Sequence, residues 1–233
     1  MYQALSIYGA HDANAYKISS SHYNGEKMDY SGTFIAIEGI DGSGLSTQAE
    51  QLRAALTSRG ISAYRTKEPT DGPVGGILRL ALTGRIEIPP ETFALLFAAD
   101  RMDHLASDVC PKLNVGMNVI CDRYFFSNYA YQGMDLGLDW LKEINVHALV
   151  PDITIFLDVD PEICLKRMAS RMRIEFFETR EKLVRTRKNF LEILDAYKKD
   201  TGANIVTVDG TAPIGDVTES ILSEVAPLLK SRT

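Results

Sequence analysis

A glycine-rich stretch near the start of the chain constrains the fold more than any other feature. The apolar run at residues 34–37 predicts a strand, glycines follow at Gly39, Gly42 and Gly44, and a helical pattern begins at Ser46. In such a loop, successive backbone N–H groups and the positive end of the following helix can hold a polyphosphate. The order strand, loop, helix therefore predicts a phosphate-binding loop, and a glycine-rich turn without a ligand is the alternative.

One position of this loop departs from the expected pattern. The phosphate-loop signature is G-x-x-x-x-G-K-[ST], and Leu45 stands where the signature has its lysine. Without the lysine, two glycines at that spacing followed by Ser or Thr would occur by chance in roughly one chain of this length in ten. The prediction therefore depends on the loop lying between a strand and a helix, where the binding mechanism requires it.

Composition excludes several classes of protein. A net charge of -6 and a pI near 5.3 argue against a general nucleic-acid binder. The cysteines Cys110, Cys121 and Cys164 are odd in number and far apart, so they suggest neither a disulfide framework nor a zinc cluster, and they fit a reducing cytoplasm. No apolar run approaches the length of a membrane span, so no membrane partner is expected.

The pattern of the remaining chain predicts one α/β domain. Residues 1–32 read as a poorly ordered N-terminal extension, and residues 33–230 as a single domain. Five short strands alternate with helices, which predicts a five-stranded parallel sheet with helices on both faces. The predicted strands are 34–37, 61–65, 118–121, 153–157 and 205–208. The main predicted helices are 46–58, 74–82, 91–106, 138–148, 175–199 and 214–229, and another begins at Pro161.

Charged side chains gather at the predicted carboxyl ends of strands, where open α/β sheets bind their ligands. Lys67 and Glu68 follow the second strand, and Asp122 and Arg123 follow the third, where a structural ion pair is an equal alternative. Cations that offset phosphate repulsion, with carboxylates for Mg²⁺, suit a reaction between two phosphate-bearing molecules. The other candidate cations are Arg101, Lys166, Arg167, Arg171 and Arg173, and the remaining carboxylate is Asp41.

No arrangement of these residues suggests a nucleophilic triad. The four histidines fall in the N-terminal extension or in predicted helices away from the strand ends, so we expect them to be structural or solvated. They are His11, His22, His104 and His147.

Five blocks of the chain together carry a family likeness. Over about residues 33–228 the chain resembles the thymidylate kinases, which have the nucleoside monophosphate kinase fold of the P-loop proteins. The matching blocks are residues 34–48, 66–70 (T-K-E-P-T), 94–101 (A-L-L-F-A-A-D-R), 122–132 (D-R-Y-F-F-S-N-Y-A-Y-Q) and 151–162 (P-D-I-T-I-F-L-D-V-D-P-E). The resemblance implies ATP-dependent phosphorylation of dTMP to dTDP, for dTTP biosynthesis, with Mg²⁺ as cofactor. It also implies a cytoplasmic homodimer whose ligands are ATP and dTMP.

The resemblance assigns the nucleotide and metal contacts. Ser46 supplies a magnesium hydroxyl, Asp122 arranges the magnesium shell, and Asp41 reaches the sugar hydroxyl or the transferring region. The implied ATP-binding residues are Gly39, Ile40, Asp41, Gly42, Ser43, Gly44, Leu45, Ser46 and Thr47.

The resemblance also assigns the acceptor contacts. Phe97 stacks on the thymine ring, although core packing is the alternative for a phenylalanine at this position. Arg101 contacts the base or the acceptor phosphate, and Arg123 holds that phosphate. Ser127 and Asn128 face the thymine edge. The remaining implied substrate residues are Lys67 and Glu68 at the border of the acceptor site, and Tyr131 and Gln132 along the sugar and base pocket.

The implied lid is a basic segment at about residues 166–174. Its arginines Arg167, Arg171 and Arg173 count with Asp41, Asp122 and Arg123 as implied catalytic residues, and an exposed basic helix face is the alternative. Lid cations or Lys67 would take over the work of the lysine that Leu45 replaces. The alternatives are a nucleotide-binding protein with little or no kinase activity, and a kinase for another nucleoside monophosphate.

Overall fold

The sheet has five parallel strands in the order β2-β3-β1-β4-β5. A computed structural model describes residues 30–169 and 179–229. The predicted five-stranded parallel sheet is confirmed. The strands are β1 (Phe34–Gly39), β2 (Ala63–Lys67), β3 (Asn118–Asp122), β4 (Ile153–Asp158) and β5 (Ile205–Asp209).

Helices connect the strands. Within the described ranges they are α1 (Leu45–Ser58), α2 (Pro73–Leu82), α3 (Pro90–His104), α4 (Cys110–Asn114), α5 (Phe125–Gln132), α6 (Leu138–Ile144), α7 (Pro161–Ala169), α8 (Arg180–Thr201) and α9 (Ile214–Val225). A π-helical turn, Leu105–Val109, joins α3 to α4, and a short 3₁₀ turn, Ala226–Leu228, follows α9. No helix in these ranges combines the length and apolar character needed to cross a bilayer.

Alternate residues of β1 face two separate cores, as expected for a strand covered on both sides. Phe34 and Ala36 pack in the core beneath α3, α5 and α8, whereas Ile35 and Ile37 pack beneath α1 and α9. The helices therefore cover both faces of the sheet, as predicted. The carboxyl ends of β1, β2 and β3 meet at one edge, which positions the loops that follow them.

Two predicted boundaries are wrong for identifiable reasons. Strand β2 begins at Ala63 and not at residue 61, because the N–H of Ile61 bonds to Leu56 O and closes the end of α1. Helix α6 ends at Ile144 and not near residue 148. The amide of Asn145 folds back onto Leu141 O at 2.8 Å, which leaves its side-chain oxygen for another partner.

The folded part of the chain includes residues just before the predicted boundary at 33. Tyr30 is buried in the core, and the N–H of Gly32 donates to Leu113 O at 2.9 Å. The rest of the predicted extension, residues 1–29, lies outside the described residues, as do residues 170–178, which contain most of the predicted lid.

Candidate functional site

The loop between β1 and α1 takes a conformation that only glycine accepts easily at two positions. Gly42 and Gly44 have φ values of 82° and 104°, in the left-handed region. A Cβ atom on Gly42 would lie 2.7 Å from Cys164 O, so the backbone of α7 also excludes a side chain there. Helix α1 starts directly after Gly44. No side chain caps this helix end, and the first N–H groups of α1 lack partners within the helix. These features suit anion binding.

The side chain at the lysine position of the loop lies in the core. Leu45 is only 6% exposed and packs with Ile35, Leu157 and neighbouring residues of α1. Residues 39–47 contain no lysine or arginine. Any cation at the loop must therefore come from another element of the fold.

The two residues predicted to hold Mg²⁺ lie side by side. The hydroxyl of Ser46 donates to Asp122 Oδ2 at 2.5 Å, although the two residues are far apart in sequence. A hydroxyl and a carboxylate are hard oxygen ligands of the kind Mg²⁺ prefers, so the donor set fits this ion. Arg65 also contacts the same carboxylate oxygen, with Nη2 at 3.3 Å.

A second group of side chains ties the loop to the end of β3. Arg123 Nη2 lies 2.5 Å from Asp41 Oδ1, and its Nη1 donates to Gly39 O at 3.0 Å. The Tyr131 hydroxyl donates to Asp41 Oδ2 at 2.8 Å. Burial by itself lowers the pKa of Arg123, but the electrostatic effects of Tyr131, Asp41, Asp122 and Glu38 together raise this pKa above its ordinary value. The guanidinium therefore stays charged beside the loop. Its own backbone has a φ of 70°, unusual for a residue with a side chain.

Glu38, which is not among the predicted site residues, holds the start of α5 in place beside Arg123. Its carboxylate is fully buried and accepts the N–H groups of Tyr124 and Ser127, at 2.9 and 3.2 Å, and the Ser127 hydroxyl at 2.6 Å. Ser127 Oγ in turn accepts from Arg123 Nη1 at 3.2 Å. Burial raises the pKa of Glu38 to about 7, against the opposing effects of Ser127 and Arg123. The sequence signal for Glu38 is a single charged residue within an otherwise apolar strand.

Three of the predicted acceptor residues, Glu68, Arg101 and Asn128, form a buried network centred on Arg101, which is 2% exposed. Arg101 Nη2 contacts Glu68 Oε2 at 2.6 Å, and Nη1 donates to Asn128 Oδ1 at 2.8 Å and also to Asn145 Oδ1. Asn128 also donates to Gln132. We call Glu68, Arg101, Asn128 and Asn145 the arginine network. Asn145 was missed, since nothing in its local sequence separates it from a helix-ending asparagine.

The prediction that the histidines lie away from strand ends is wrong for His104. Its Nε2 is 2.7 Å from Thr66 Oγ1, and its Nδ1 is 3.1 Å from Glu68 Oε1. The end of α3 lies beside the end of β2, and this long-range contact cannot be read from the helix alone. His104 is buried and helps to position Glu68.

Two further predicted acceptor residues, Phe97 and Lys67, belong neither to the arginine network nor to the group around Arg123. Phe97 is half-buried and packs edge-to-face on Phe93, with ring centroids 4.9 Å apart. Lys67 is exposed, with Nζ 3.0 Å from Asp71 Oδ1. It borders a cavity of about 530 Å³ at the open edge of β2, whose lining contains none of the other predicted site residues.

Arg167 is the part of the predicted lid cluster that the described residues include. Its Nη1 donates to Ser43 O at 3.1 Å, and its Nη2 donates to Gly210 O at 3.0 Å. These contacts join the phosphate loop to the turn after β5. Arg171 and Arg173 lie outside the described residues.

Comparison with known proteins decides the family of the chain. The family model described as thymidylate kinase matches residues 37–221. The chain belongs to the thymidylate kinase family. This family places it among the kinases, and the match includes the phosphate loop from Gly39 onward and all four members of the arginine network.

Curated relatives carry the same family name. A protein of Thermococcus kodakarensis named "Probable thymidylate kinase" is 42% identical over 174 residues, which are 70% of this chain and 85% of that protein. A protein of the same name from Thermococcus onnurineus is 38% identical over 209 residues, which are 85% of this chain and 100% of that protein. The similarity to these thymidylate kinases therefore extends over most of both chains.

Proposed function

We propose that this member of the thymidylate kinase family transfers the γ-phosphoryl group of ATP to dTMP, forming ADP and dTDP, with Leu45 in its phosphate loop. The observation that carries the proposal is the contact of Arg123 with both Asp41 and Gly39 O. It joins the predicted ATP loop to the predicted acceptor residue. Two phosphate groups that react in line must be held together against their repulsion, and a charged guanidinium at this junction does that.

Different residues bind the ATP phosphates, Mg²⁺ and the acceptor phosphate. Backbone N–H groups of the loop and of α1 hold the ATP phosphates. Ser46 and Asp122 would hold Mg²⁺, which would supply positive charge to offset the charge of the phosphate groups. Arg123 orients the acceptor phosphate. No general base is needed, because a phosphate monoester with a second pKa near 6 is already largely ionised at neutral pH.

The arginine network and Phe97 select the acceptor. Glu68 and Asn145 hold Arg101, and Arg101 in turn holds Asn128, so both residues present polar groups at fixed positions. The half-buried ring of Phe97 offers a face on which a pyrimidine can stack. A thymine base would therefore meet an aromatic ring and a rigid polar edge. Tyr131 and Gln132 lie on the same helix as Asn128 and complete the pocket wall.

A coupled assay for ADP tests the function. Purified protein with Mg-ATP should release ADP when dTMP is added, and much less with water as the only acceptor. Parallel kcat/KM values for dTMP, dUMP and dGMP should rank dTMP first. Absence of turnover above background with every monophosphate would refute the proposal and leave a nucleotide-binding protein. A higher value for another acceptor would correct the substrate.

A homodimer is part of the proposal. Large apolar side chains are exposed on α2, at the start of α3 and in the loop between them: Ile77, Leu80, Leu82, Ile86 and Leu95. Exposed apolar groups concentrated in one region mark an interaction surface, and a second copy of the chain is the proposed occupant. Light scattering should give a dimer for the wild type and a monomer for Leu95→Glu. The matched control Val184→Glu, at an exposed position of α8, should stay dimeric, and a monomeric wild type would refute this part.

The proposed location is the cytoplasm. All three cysteines, Cys110, Cys121 and Cys164, are free thiols, as expected in a reducing compartment.

A further inference from the structure

An arginine outside the predicted site contacts Asp122, which with Ser46 is the pair proposed to hold Mg²⁺ (the metal pair). Arg65 belongs to β2, and its Nη2 is 3.3 Å from Asp122 Oδ2. The same oxygen accepts the hydroxyl of Ser46 at 2.5 Å. A guanidinium and a hydroxyl therefore contact the same carboxylate oxygen beside the phosphate loop.

Strand register explains why Arg65 reaches this position. Arg65 pairs with Ile120 of β3, whose side chain belongs to the core beneath α1, and Asp122 lies two residues farther along the same face. Diagonal neighbours on adjacent strands are within reach of a long side chain. Arg65 thus extends along the face that carries α1 and Ser46, towards the carboxyl end of the sheet.

One donor of Arg65 has no acceptor in the described part of the chain. Its Nε is buried without a hydrogen-bond partner, while the side chain as a whole remains 29% exposed. A buried N–H group without an acceptor is unfavourable. Guanidinium groups carry five donors in a planar fork that matches phosphate oxygens, and the contact with Asp122 involves Nη2 alone, so the group has other donors for a phosphate ligand.

The other described arginines near the loop already bond to the protein itself. Arg123 contacts Asp41 and Gly39 O, and Arg167 donates to Ser43 O and Gly210 O. Leu45 contributes no charge, because its side chain is apolar, and it lies in the core. Arg65 is therefore a cation that contacts Asp122 and has part of its side chain open to solvent.

We propose that Arg65 binds the phosphate oxygens of ATP beside Ser46 and Asp122 and supplies positive charge that the loop lacks at Leu45. This role rests on the proposed kinase function and adds a catalytic residue to it. On nucleotide binding, Arg65 exchanges part of its contact with Asp122 for the phosphate, and Asp122 is then available to Mg²⁺.

Binding of ATP without turnover provides the test. Titration calorimetry with ATP in EDTA, with no dTMP present, measures phosphate recognition in the absence of metal and of reaction. Arg65→Gln should weaken ATP binding roughly 10- to 100-fold, as expected for loss of a charge-assisted hydrogen bond. Affinity for dTMP should change less than twofold, and Arg65→Lys should retain part of the ATP affinity. In the double variant, Leu45→Lys should restore ATP binding to Arg65→Gln.

The controls separate this role from a structural one. Arg59→Ala removes an exposed arginine at the end of α1 and should leave both affinities unchanged. Circular dichroism should show that Arg65→Gln is folded, since β2 is an edge strand. An ATP affinity within twofold of wild type, or an equal loss of dTMP affinity, would overturn the proposal, as would a wild type that does not bind ATP. Wild-type protein that binds ATP without phosphorylating dTMP would refute the kinase function and leave the role of Arg65 measurable.

Discussion

The phosphate loop and the arginine network are built in opposite ways. In the loop, residues 39–47, the proposed ligands are mainly backbone N–H groups, and Gly42 and Gly44 set the conformation that aims them. In the arginine network the proposed ligands are side chains, each held by another buried side chain. A backbone site keeps its shape when one side chain changes, as at Leu45. A network of paired buried side chains does not, and this contrast orders the expected effects of substitution.

The largest effect is expected in the arginine network. Arg101→Ala leaves the buried carboxylate of Glu68 without its guanidinium, and breaking a buried ion pair in this way costs about 3–5 kcal/mol of stability. Urea unfolding monitored by fluorescence would measure the loss. Arg53→Ala is the matched control, because its ion pair with Glu50 is exposed to solvent and should contribute far less to stability. Equal midpoints for the two variants would contradict the contrast.

The next effect is expected at the junction of the two regions. Arg123→Lys keeps a charge but loses the fork that contacts Asp41 and Gly39 O together. We expect kcat/KM for dTMP to fall by roughly 10²- to 10³-fold, the scale for loss of one positioned donor at a developing charge. Initial rates at varied dTMP would measure it. A change below threefold would show that Arg123 does not hold the acceptor phosphate.

A pH effect is expected from Glu38, which lies beneath the junction. Because burial raises its pKa from 4.5 to about 7, ionisation opposes folding. Its contribution to stability is complete below pH 4.5 and is lost as the pH rises towards 7, by about 3 kcal/mol for a shift of this size. Glu38→Gln cannot ionise and should lose this dependence. Denaturant midpoints of both proteins from pH 4.5 to 8 would check it, and parallel curves would contradict the assignment.

The local sequence pattern predicted the strands and the phosphate loop, whereas the contacts of several site residues depend on long-range packing. The strand at residues 34–37 and the glycines after it have strong local signals, so the loop was predictable. Glu38 was missed because its partner Ser127 is 89 residues away. Arg65 was missed because only the pairing of β2 with β3 brings it to Asp122. The position of His104 was predicted wrongly for the same reason, since its contact with Glu68 depends on how the end of α3 packs beside β2.

The smallest effect is expected for substitution of Leu45, and this substitution tests directly how the phosphates of ATP are bound. If backbone N–H groups and arginines from other elements bind the phosphates, the wild type phosphorylates dTMP. Leu45→Lys should then change kcat/KM for ATP by no more than about tenfold, or about 1.4 kcal/mol. The most direct measurement is therefore ADP formation with dTMP by both proteins side by side. Turnover by both would support the account, whereas a wild type at background beside an active Leu45→Lys variant would contradict it.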